Sequence, residues 1–119
     1  MALTKDFRET VAARAQRDPD FKTALLQEAL QAFLDGEVAP GLILLRDCIN
    51  ATVGFAALSK ETHIPEKSLM RMVGPRGNPT ASNLFAIVAA LQHQTHVETH
   101  VETHAAEVKP AHRVKQFAM

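Results

Sequence analysis

Residues 55–73 read Phe55-Ala-Ala-Leu-Ser59-Lys-Glu-Thr-His63-Ile64-Pro65-Glu-Lys-Ser-Leu69-Met-Arg71-Met72-Val73, and Gly74-Pro75-Arg76-Gly77-Asn78-Pro79 follows at once. No other stretch limits the fold so tightly. The stretch reads as a helix over about Phe55 to Thr62 and another from Pro65 or Glu66 to about Val73, where the Gly/Pro cluster breaks any further helix. Two short helical segments remain, separated by a turn of a few residues. Leu58 on the first, Ile64 in the turn, and Leu69 with Met72 or Val73 on the second can meet in one small core. Ser59 is small and stands where the two helices would approach each other.

The outward positions of the second segment are Glu66, Lys67, Ser68, Met70 and Arg71. Lys67 and Arg71 lie one turn apart, and either can reach a guanine edge or a phosphate. A helix-turn-helix needs such a pair, its first helix braced on the DNA backbone and its second offered to a major groove. Spacing alone serves an ordinary hairpin in a helical bundle equally well, since short helices joined by tight turns are common.

The rest of the chain also reads as helix, with no convincing strand. Leu3, Phe7 and Val11 recur at i, i+4 and i+8, which predicts a helix over about 4–16. Asp18-Pro19-Asp20 supplies a cap, a first-turn proline and a favourable charge for a second. Phe21, Leu25, Leu26, Ala29, Leu30 and Phe33 form its apolar stripe, and Gly36 is its stop. A third, over 38–51, carries Leu42, Leu45 and Ile49 on one side with Ile43 and Leu44 elsewhere, so burial on most faces is expected. Thr80 caps a last helix whose core stripe is Leu84, Ile87, Val88 and Leu91. The folded domain is therefore expected over 1–92, with leader helices at about 4–35 and the helical pair at 55–73. Residues 93–119 are expected to form a loose, His-rich tail outside the core.

Composition excludes several classes. The 119 residues suit one domain, and 46% hydrophobic with 22% charged residues is ordinary globular usage. The apolar runs stop well short of the roughly 20 residues a bilayer span requires. The N-terminus lacks the basic and apolar regions of a signal peptide, and one cysteine, Cys48, excludes an internal disulfide and a cysteine-based zinc finger. A cytoplasmic protein without membrane association is the expectation. Net charge is zero, but 54–79 holds four basic residues (Lys60, Lys67, Arg71, Arg76) against two acidic ones (Glu61, Glu66), whereas 1–36 and 37–53 each carry one more acidic than basic residue and 80–119 balance.

Other candidate chemistry is thin. His96, His100 and His104 repeat at i, i+4 and i+8, with His93 three residues earlier. On a helix they would share a face, and such spacing can chelate a transition metal. No second helix is committed to complete a shell, and Glu98 and Glu102 point elsewhere on the wheel, so neither a metal site nor any cofactor is expected. Cys48 reads as a small core hydrophobe. With no Gly-rich phosphate loop, no nucleophile elbow and no His-Glu-x-x-His, the chain is not expected to be an enzyme.

The 55–73 segment, the Gly-Asn-Pro loop at 77–79 and Asn83-Leu84 resemble the helix-turn-helix of λ-repressor-like (Xre-type) regulators, and most closely HigA-type addiction-module antidote proteins. Leu3-Thr-Lys-Asp-Phe7, Ala15-Gln-Arg-Asp-Pro19 and Leu45-Arg-Asp-Cys-Ile-Asn-Ala51 extend the likeness over about 3–92. The sequence departs from the pattern twice: His63 stands where the family turn usually has a left-handed Gly, and Pro65 where Ser commonly caps the recognition helix. The resemblance implies an all-α, λ-repressor-like bundle with two leader helices and a sequence-specific DNA-binding regulator, an autorepressor bound as a homodimer to double-stranded DNA. Glu66, Lys67, Ser68 and Arg71 would read bases. Lys60, Arg76, Thr80, Ser82 and Asn83 would hold phosphates. The alternative is an antitoxin whose main task is to neutralise a partner toxin through protein contacts. The leader helices either enlarge the core or dock on such a partner.

Overall fold

The computed structural model describes residues 19–107. The expected helix over 4–16, the Asp18 cap and the last residues of the tail lie outside the described residues. Within them the architecture is all-α: α1 (Pro19–Leu34), α2 (Val38–Ala51), α3 (Gly54–Thr62), α4 (Glu66–Met72) and α5 (Ala81–Thr95), with no strand among the described residues.

Each boundary has a local cause. After α1, Gly36 takes φ 83°, its amide returns to Phe33 O at 3.0 Å, and Glu37 N returns to Ala32 O at 2.9 Å. This is a Schellman end, which glycine reaches without the strain of a Cβ. At α5 the Thr80 Oγ1 accepts the Asn83 amide at 3.1 Å, the cap read from the sequence.

The core is drawn from all five helices. Leu45 and Ile49 of α2, Leu58 of α3, Leu69 of α4, Val73 just beyond it, and Ile87 and Leu91 of α5 are fully buried. Leu26 and Ala29 of α1 join them, with Leu25, Leu30 and Phe33 packed partly buried alongside. The Phe33 ring lies against Gly41, where a Cβ would collide with it, so α1 and α2 approach closely. Of the two readings of the leader region, core enlargement therefore describes α1. Burial of such a set of aliphatic side chains, at about 1.5–3 kcal/mol each, is the main force joining these short helices.

Two expectations change. Burial of α2 holds around most of the helix but stops at Ile43, which is 48% exposed, on the same side as the solvent-facing Asp47 and Asn50. Positions 43, 47 and 50 fall on one helical stripe, so Ile43 shares the face its polar neighbours already mark as outward. Nor does the folded unit stop at Gln92. Helix α5 runs to Thr95, whose side chain is buried and donates to Leu91 O at 2.7 Å. His96 then takes φ 59°, Val97 N returns to Gln92 O at 3.0 Å, and Val97 packs on the core. The apolar contact that accompanies such a helix end recruits Val97 from a stretch whose composition reads as tail. Residues 97–107 have no regular secondary structure, so His96, His100 and His104 do not share a helical face. Among the described residues, no three His, Cys, Asp or Glu side chains are placed to hold a metal ion.

No single helix among the described residues is long and apolar enough to cross a membrane.

Candidate nucleic-acid interface

Helices α3 and α4 are joined by three residues, and that joint is built from side chains close in sequence. His63 ends α3 in the left-handed region (φ 61°, ψ 23°), and its amide donates to Ser59 O at 2.9 Å. The position where the sequence pattern favours glycine is thus occupied by a left-handed histidine. Ser59 Oγ donates to Ile64 O at 2.7 Å. Thr62 Oγ1 donates to Leu58 O at 2.8 Å and accepts the Ile64 amide at 3.3 Å. Two hydroxyls thus satisfy backbone groups that the break between the helices would otherwise leave unpaired. Pro65 (φ −56°, ψ 145°) precedes α4 as its cap residue and makes no side-chain capping bond.

From this joint α4 presents two faces. Leu69 and Val73 are fully buried, and Ser68 and Met72 are half-buried on the flank. Glu66, Lys67, Met70 and Arg71 are exposed. At about 100° per residue these four form one continuous arc. Lys67 and Arg71 therefore stand on a free face, one turn apart. Ser68 lies at the edge of the arc beside Met72 and is less available than the other three expected base readers, because the same rotation that buries Leu69 draws it inward.

The expected phosphate contacts surround α4. Lys60 is exposed in the last turn of α3, and Arg76 is exposed in the loop after α4. That loop folds tightly back: Gly77 N donates to Gly74 O at 2.9 Å, and a Cβ on Gly77 would overlap the Met72 carbonyl. Thr80 and Ser82 are exposed at the start of α5, while Asn83 is half-buried. The Asn83 amide is already taken by Thr80 Oγ1. The amides of Ala81 and Ser82 lie in the same first turn, where the helix dipole favours an anion.

Sequence reasoning missed one cluster. Glu61 of α3 accepts from Gln94 Nε2 at 2.9 Å and faces His93 Nδ1 at 3.2 Å, both on α5, and Gln94 Nε2 also donates to Ala57 O at 3.0 Å. The Gln94 bond first, and His93 second, hold the Glu61 carboxyl below its ordinary range. One of the two acidic side chains in the basic segment is thereby engaged away from α4. No local signal marks this link, since Glu61 and Gln94 are 33 residues apart.

Against α1, α5 and the 97–102 segment lies an open groove of about 590 Å³, rimmed by the exposed apolar side chains Leu34, Phe85 and Val101. No protein-family model, curated protein or solved structure matches the chain.

Proposed function

We propose that the protein is a sequence-specific DNA-binding transcriptional regulator of the λ-repressor-like, Xre type, nearest the HigA-type antidote proteins, with α3 and α4 as its helix-turn-helix. The observation that carries this reading is the left-handed joint at His63, tied by Ser59 Oγ to Ile64 O, which sets an exposed α4 arc bearing Lys67 and Arg71 clear of the core. Lys67 and Arg71 read guanine edges, Glu66 accepts from a cytosine amino group, and Ser68 contributes from the flank. Lys60, Arg76 and the Thr80–Asn83 turn hold phosphates and fix the register. With four basic against two acidic side chains over 54–79, one copy has little electrostatic grip. A homodimer on a palindromic site supplies the remainder. Occupying its own promoter excludes polymerase and represses transcription.

The test is binding to the DNA upstream of its own coding sequence at two salt concentrations, with an unrelated duplex as competitor. Tight binding that resists the competitor and weakens by about 10–100-fold in Lys67→Ala or Arg71→Ala is the expected result. Equal binding to both duplexes, lost steeply with salt, would mean backbone attraction alone. No binding would overturn the reading.

A second reading is supported by the groove beside α1 and α5: an antitoxin that masks a toxin through protein contacts, with DNA binding secondary. Leu34 and Phe85 are 65% and 64% exposed there. Removing all of 1–36 would strip Leu26 and Ala29 from the core, so Leu34→Glu with Phe85→Glu is the cleaner variant. Loss of toxin neutralisation with DNA binding intact favours this reading; retention of both removes it.

A further inference from the structure

The exposed arc of α4 holds one side chain to which the proposed function has given no role. Met70 is 48% exposed, with Lys67 one turn before it and Arg71 beside it. The other apolar residues of the helix turn away: Leu69 is fully buried and Met72 half-buried against the core. Met70 therefore contributes little to holding α4 in place, and its exposed part is the one apolar surface within the charged arc. The functional groups of the arc differ in kind. Lys67 and Arg71 only donate hydrogen bonds, and Glu66 accepts them. In the major groove, donors select guanine O6 and N7, an acceptor selects the cytosine amino group, and the one apolar feature is the 5-methyl group of thymine.

Resting on the DNA-binding reading above, we infer that Met70 is a specificity-determining residue that packs its thioether on a thymine methyl group. Helix rise carries Met70 about 4.5 Å along the axis from Lys67, close to one base-pair step. The thymine therefore lies within about two base pairs of the guanine that Lys67 or Arg71 reads. An unbranched, polarisable side chain suits a methyl contact whose position is fixed by charged neighbours rather than by itself.

The test uses duplexes selected by the full-length protein from a randomised library. The most enriched duplex is then remade with deoxyuridine in place of each thymine in turn, which deletes only the methyl group and leaves base pairing unchanged. One thymine near the selected guanine should prove sensitive, its replacement weakening binding by about fourfold, the worth of one methyl group buried. Met70→Ala should weaken binding to the thymine duplex by about as much and abolish the difference between thymine and deoxyuridine. Met70→Leu should preserve that difference. Because Met70 is exposed, the melting temperature of each variant should match the parent.

If a guanine-containing site is selected but no thymine is methyl-sensitive, the inference is overturned while DNA recognition stands. A methyl-sensitive thymine that stays equally sensitive in Met70→Ala overturns it too. If nothing is enriched and Lys67→Ala and Arg71→Ala behave as the parent, the DNA-binding reading falls and takes this one with it.

Discussion

A histidine at φ 61° holds the turn between α3 and α4. Side chains with a Cβ occupy that region at a cost of roughly 1–2 kcal/mol, which glycine avoids at the price of greater freedom when unfolded. His63 is exposed. His63→Gly should therefore raise stability by about 0.5–1 kcal/mol in chemical denaturation, with DNA binding retained. A loss of stability would mean that the imidazole holds the turn. Cys48 poses the opposite case. Burial pushes its thiol up to about 11, partly offset by the hydroxyl of Thr52. It should resist thiol reagents at pH 8 in the folded protein and react once the chain is unfolded. Because its folded value lies above the ordinary 9.0, the associated stability is complete below about pH 9 and is lost as pH rises toward 11. A Cys48→Ala variant should lack that alkaline component of unfolding.

Helices α3 and α5 are joined in the core by Leu58, Ile87 and Leu91 and at the surface by Glu61, His93 and Gln94. A carboxyl held below its ordinary value favours the fold above that value, and the contribution disappears as pH falls through the folded one. Glu61→Gln should thus lower the melting temperature at pH 7, and the gap from the parent should close as the solution is taken through the carboxylate range. Since the pair faces solvent, added salt should narrow the gap as well. The loop after α4 is the stricter element. Gly77→Ala places a Cβ on the Met72 carbonyl, so the loop must move. A loss above about 1 kcal/mol is expected, together with weaker DNA binding as Arg76 shifts.

Taken as a whole, the described molecule closes its core with residues from beyond the expected end of the domain. Ending the chain after Gln92 removes the Gln94 bonds, the buried Thr95 and the Val97 contact. Such a chain should be destabilised by about 1–3 kcal/mol, measured as the loss in chemical denaturation relative to the parent.

The elements themselves were legible in the sequence. Helix bounds near 38–51, 54–62 and 66–72, the Thr80 cap and the stop at Gly36 follow from apolar spacing and from residues that cap or break helices, whereas the left-handed backbone at His63 was marked only by the resemblance to a turn that usually has Gly there. All of these forces act within a few positions along the chain. The polar joint inside 55–73 was legible only in outline: Ser59 was marked for its size, whereas its hydroxyl bonds the Ile64 carbonyl. Two things were decided by tertiary structure alone: the inward draw of Ser68, and the return of Gln94, Thr95 and Val97 to a core whose other members reach as far back as Leu25 and Leu26. Local chemistry determines where a helix starts and stops. Which of its faces is buried, and what closes over it, depends on surfaces that exist only when distant segments meet.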